Sequence, residues 1–137
     1  PQLPEGKIIA LDPEASLTTW MEERKKRDSL DNVYIHQITE DDPGLDQLSD
    51  EIDLLFVGYT YFHFSDPVTY FRDKVYPYIQ DKTVVAIADI APVQGQARHT
   101  VSAQQVIIEM TEAGFELMTE PTTVYDQYLI IIKKSSQ

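Results

Sequence analysis

The feature that most restricts the fold of this chain is an alternation. Short apolar runs of strand length take turns with segments of helical character from one end to the other. Gly6-Lys7-Ile8-Ile9-Ala10-Leu11-Asp12 is such a run, and Ile52-Asp53-Leu54-Leu55-Phe56-Val57-Gly58-Tyr59 and Thr83-Val84-Val85-Ala86-Ile87-Ala88-Asp89 are two more. Buried parallel strands read as near-continuous apolar stretches of this kind. Asn32 to Ile38 alternates and reads as a further strand. Strands that alternate with helices argue for an α/β sheet covered by helices.

The segments between the runs carry helix signals. Glu14 to Asp28 places Leu17, Trp20 and Met21 at helical spacing and gathers Arg24, Lys25, Lys26 and Arg27 at its end, where the helix dipole favours bases. Ser65-Asp66-Pro67 opens a second helix, whose stripe is Val68, Phe71, Val75, Tyr78 and Ile79. Ser102 caps a third, which stops at Gly114. After it, Phe115 to Glu120 and Tyr125 to Lys133 read as strands with only a short turn around Pro121 to Val124 between them. Such strands are antiparallel neighbours. Thr39 to Gly44 and Ala91 to Thr100 read as loops.

Composition sets outer bounds. At 137 residues, with 42% hydrophobic and 25% charged residues, the chain suits one globular domain spanning 1–137. Its net charge is −12. Ten acids and no Lys or Arg lie between Arg27 and Arg72. Nucleic-acid binding runs on Lys and Arg displacing counterions, so no nucleic-acid partner is expected. The acidity serves solubility, or a basic partner or cationic substrate. There is no cysteine, which removes disulfides, thiolate catalysis and zinc-thiolate sites. No apolar run approaches the ~20 residues of a membrane span. An intracellular setting, cytoplasm or organelle matrix, is expected.

The order of the segments, with several local strings, resembles the class I S-adenosylmethionine-dependent methyltransferases. It is most similar to the small-molecule group that includes the ubiquinone/menaquinone and arsenite enzymes. Gly6 to Asp12 corresponds to that family's second strand, Asp53-Leu54-Leu55-Phe56-Val57 to its fourth, and Val84 to Asp89 to its fifth. Phe62-His63-Phe64-Ser65-Asp66-Pro67 follows the fourth strand, and Glu112-Ala113-Gly114-Phe115-Glu116 precedes the sixth. The resemblance implies a Rossmann-like, mostly parallel sheet of order 3-2-1-4-5-7-6 with an antiparallel C-terminal strand. It also implies S-adenosylmethionine as cofactor, no metal, and a small-molecule methyl acceptor.

One departure stands out. The family's first strand, its glycine-rich loop and the helix after it should precede Gly6, and only Pro1 to Glu5 do. The five glycines fall singly at Gly6, Gly44, Gly58, Gly95 and Gly114, with no G-x-G. The domain is therefore expected to be N-terminally truncated, and the start at Pro1 to reflect either routine trimming of a leading Met or a processed or fragmentary chain. Without the first strand, backbone groups mid-sheet lack partners. A partner chain, a second copy, a segment of the same protein, or direct pairing of the second and fourth strands would fill the gap. An inactive scaffold and one half of a split enzyme are the alternatives to an active domain.

The resemblance assigns candidate residues. Asp12, ending the second strand, accepts the ribose hydroxyls, or else caps the next helix. Glu40 and Asp41 accept from the adenine amino group, or else form an acidic surface loop. Gly58, Tyr59 and His63 follow the fourth strand, where acceptor and methyl group meet. A His there acts as a base when its pKa sits near the working pH. Tyr59, Tyr61, Phe62 and Phe64 pack under a loop or wall a cation. Asp89 ends the fifth strand at the ligand-binding edge of an open α/β sheet. His36 and His99 have no evident partner, and the scattered histidines give no metal signature.

Overall fold

The computed structural model describes residues 6–95 and 100–136, so His99 and part of its loop lie outside the described residues. The chain divides into two compact units, 1–44 and 45–137.

The first unit is a strand, a helix and a strand. β1 (Ile8–Asp12) and β2 (Val33–Gln37) pair in parallel, Ile8 opposite Val33 and Asp12 opposite Gln37. α1 (Ala15–Arg27) links them, with its bases in the last turn. A parallel pair needs such a crossover. The helix buries little. Only Thr18 on it is buried, while Leu17 is 44% and Trp20 53% exposed. The apolar residues whose spacing signals the helix are therefore mostly exposed, with Met21 half-buried.

The second unit holds the main core. Its central ladder runs β3 (Leu54–Gly58), β4 (Val84–Ile90), β7 (Gln127–Lys134), β5 (Phe115–Leu117). β3 and β4 are parallel, and β7 runs antiparallel to both β4 and β5. The expected antiparallel C-terminal strand, inserted between its neighbours, is present. The expected turn around Pro121 to Val124 is instead a short strand, β6 (Thr122–Val124), in hairpin with β7 through Tyr125 and Asp126.

The two faces of this sheet are unequal. Val85, Ile87 and Asp89 alternate along β4, face Ile132, Ile130 and Tyr128 of β7, and are all 3% exposed or less. That face is roofed by α3 (Ala103–Glu112) and by the helical segment 67–78. Ser102 Oγ accepts from the Gln105 amide at 3.1 Å and Gly114 takes φ +105° after the last turn, as the cap and stop signals indicated. Phe71 and Phe115 meet edge to face with centroids 6.3 Å apart, both nearly fully buried. Burying each such ring contributes about 1.5–3 kcal/mol.

The second helix is less regular than its stripe suggests. It is α2 (Pro67–Tyr70), then a π turn (Phe71–Val75), then a 3-10 turn (Tyr76–Tyr78). Pro77 is the cause. It has no N–H to give the Asp73 carbonyl, and its ring would strike that carbonyl in a regular α-helix. The chain widens, so that the Tyr76 amide reaches back to Phe71. Phe71, Val75 and Ile79 are still buried, whereas Tyr78 is exposed.

β3 departs most from expectation. Its sequence reads as a central strand apolar on both faces, yet it is the edge of its sheet, with Leu54 58% and Phe56 59% exposed. Among the described residues β1 pairs only with β2, and β3 only with β4. Each keeps one unpaired edge.

Candidate functional site

In the first unit, Asp12 ends β1 at the carboxyl edge. Its Oδ1 accepts from the Glu14 amide at 2.8 Å, at the start of α1. Capping therefore uses one carboxylate oxygen and leaves Oδ2 without a hydrogen bond among the described residues. The Ile38 amide donates to the Asp12 carbonyl at 3.0 Å, which ties the loop after β2 to the end of β1. Glu40 and Asp41 are the exposed middle residues of a tight turn closed by Thr39 and Asp42. Asp42 Oδ1 accepts from the Gly44 amide at 2.8 Å and fixes the turn's exit. Asp12, Glu40 and Asp41 thus share one end of the two-stranded sheet.

In the second unit, Gly58, Tyr59 and His63 follow β3 at its carboxyl end. A Cβ at Gly58 would lie 2.6 Å from the Phe56 ring, so glycine here makes room for that ring. Tyr59 adopts φ +56°, a left-handed conformation rare for a side chain of its size. Its amide donates to the Ala88 carbonyl at 2.8 Å and its hydroxyl to Gln127 Oε1 at 2.7 Å. The ring is 47% exposed. His63 sits in a 3-10 turn (Tyr61–His63), exposed, with its ring 4.0 Å from that of Phe62. No carboxylate orients it among the described residues.

The aromatic cluster splits by role. Tyr61, 1% exposed, is core, and it meets the half-buried Phe64 edge to face at 5.9 Å. Tyr61 donates to Glu109 Oε2 at 2.5 Å, and Gln105 Nε2 donates to Glu109 Oε1 at 2.7 Å. Burial first, and then the Glu109 carboxylate, push the Tyr61 hydroxyl well above its ordinary pKa. Burial and the charge of Asp89 do the same to Tyr128, which donates to the Val101 carbonyl at 2.8 Å. Asp89 is 1% exposed. Its Oδ1 accepts from the Ile90 amide, and its Oδ2 has no hydrogen-bond partner among the described residues.

Sequence reasoning missed Gln127, Glu109 and Tyr128. Gln127 meets Tyr59 across 68 positions of sequence, and no local pattern announces such a contact. No group of three or more metal-ligating side chains occurs among the described residues. No helix among them is long and apolar enough to cross a membrane.

No family model matches the sequence, and no curated protein matches it. Solved structures do match. A SAM-dependent methyltransferase from Aquifex aeolicus superposes with a TM-score of 0.81 at 16% identity, over 97% of this chain and 71% of its own. The mitomycin 7-O-methyltransferase MmcR gives 0.73 at 11% identity, over 94% of this chain. This chain spans only 42% of the MmcR chain. The [4+2]-cyclase SpnF gives 0.73 at 10% identity, over 94% of this chain and 66% of its own. The fold is that of the class I S-adenosylmethionine-dependent methyltransferases, in shortened form. The likeness is one of fold.

The described residues fit half of that fold's cofactor. Asp12, with a spare oxygen at the carboxyl edge, suits a ribose diol. No glycine pair lets the backbone approach a methionine moiety closely, so that half has no cradle among these residues.

Proposed function

We propose that this chain is the greater part of a methyltransferase domain that takes S-adenosylmethionine and a small-molecule acceptor, and that it is incomplete by itself. In this reading Asp12 receives the ribose, and Glu40 or Asp41 the adenine amino group. Gly58, Tyr59 and His63 face the acceptor. The cofactor supplies an electrophilic methyl group, and this chain's contribution is positioning. The observation that carries the reading is the carboxyl end of β1, where Asp12 spends one oxygen on a cap and keeps the other. A further strand, from a partner chain, a second copy or the same protein, completes the sheet and brings the missing cradle. The setting is intracellular.

Calorimetry on the chain of verified mass tests this. With only the nucleoside half held, S-adenosylmethionine and adenosine should bind with similar weak affinity, on the order of millimolar. Asp12→Ala should weaken both about tenfold or more, the cost of hydrogen bonds to a charged group. Absence of binding at about 10 mM, or binding indifferent to Asp12, would overturn the reading.

A second reading is a scaffold that has kept the fold and lost the chemistry. The open edge of β3, with Leu54 and Phe56 exposed beside it, favours assembly through strand addition. SpnF, named a cyclase, shows that this fold also hosts other chemistry.

A further inference from the structure

Tyr59 crosses the sheet. Its backbone leaves the end of β3, while its hydroxyl is held by Gln127 at the start of β7, and β4 lies between those two strands. Neighbouring strands are about 4.8 Å apart, so the side chain must lie over the carboxyl end of β4 to reach. Ile90, which ends β4, pairs with Gln127 and confirms the placement. Two features set this bar in place: the left-handed backbone at Tyr59 and the single hydrogen bond at its far end. A left-handed non-glycine residue costs about 1 kcal/mol or more and persists only where its surroundings enforce it.

We propose that Gln127 is a positioning residue, which fixes the half-exposed Tyr59 ring as a platform for a small alkylated cation. The proposal rests on the reading that ligands meet this edge of the sheet. The choice of a cation follows from charge. Asp126 adjoins Gln127, Asp89 stands one residue before the end of β4 with one oxygen unpartnered among the described residues, and the chain carries −12 overall. An aromatic face in that surrounding attracts an onium group and gives an anion nothing. Gln127 acts by direction: its carbonyl oxygen receives the Tyr59 hydroxyl and stops the ring from swinging into solvent.

The test uses the full chain labelled with 3-fluorotyrosine, with the Tyr59 resonance assigned through Tyr59→Phe. Trimethylsulfonium chloride is the probe, because it needs no nucleoside site. The Tyr59 resonance should shift saturably. Gln127→Leu, which removes the acceptor, should weaken that binding about tenfold. Gln127→Glu keeps an acceptor oxygen and should restore it. Gln127 is exposed, so all variants should melt as the parent does. A resonance unmoved at about 100 mM probe, or moved equally in Gln127→Leu, overturns the proposal. Sulfonium binding without S-adenosylmethionine binding would instead sink the functional reading and leave this one standing. The reverse result would do the opposite.

Discussion

Two buried tyrosines make stability depend on alkaline pH. Tyr61 and Tyr128 are 1% and 3% exposed, and each hydroxyl titrates above the ordinary value of 10.0 in the folded chain. The unfolded chain releases these protons near that ordinary value and the folded chain holds them longer. The stabilisation is therefore fully present below about pH 10 and is lost as pH rises through the folded values. The urea midpoint should stay level from about pH 7 to 9 and fall above about 10. Tyr61→Phe should flatten the fall. It should also cost about 1–2 kcal/mol at neutral pH, because Glu109 loses the donor that Tyr61 supplies. A midpoint equally level through pH 11 would mean that these hydroxyls are not buried as described.

Elements were legible in the sequence where one local rule decided them. The helix that starts at Ser102 and stops at Gly114 is such a case, since the cap and the left-handed stop are both chain-local. Gly114→Ala tests the stop. At φ +105°, with the Tyr76 ring 3.2 Å from the new Cβ, alanine should cost about 1–2 kcal/mol and lower the melting temperature. An unchanged melting curve would show that the helix end relaxes. Elements were misread where the apolar pattern was followed past a local breaker, or where distant neighbours decided them. Periodicity saw one helix from Pro67 to Ile79, and Pro77 broke it into three kinds of turn. The apolar run in β3 was read as central, because apolarity on both faces is what a central strand needs. Neighbours decide the outcome, and β3 has one. The site divided in the same way. Asp12, Glu40, Asp41, Gly58, Tyr59 and His63 were named from the family resemblance, and they lie at or just past the carboxyl ends of β1, β2 and β3. Gln127 was invisible, because its partner comes from a strand two places across the sheet.

For the whole molecule, the consequence of an unpaired β3 is a measurable asymmetry within one strand. The Tyr59 amide bonds to Ala88 and the Asp53 carbonyl to Val84, so in this parallel pair the odd-numbered residues of β3 point their backbone groups at β4. The amides of Phe56 and Gly58 then point away, at the open edge. Hydrogen exchange on the chain alone should find Phe56 and Gly58 fast and Val57 slow, with Ile87 on fully flanked β4 slowest of these. β1 and β2 should exchange at intermediate rates. Two strands and a helix that buries only Thr18 make a marginal unit, and small units bury a smaller share of their surface. A strand supplied to β3 should protect Phe56 and Gly58 and leave Ile87 nearly unchanged. Protection of Phe56 and Gly58 in a verified monomer would mean that the edge is already covered, and both the incomplete-domain and the scaffold readings would then lose their basis.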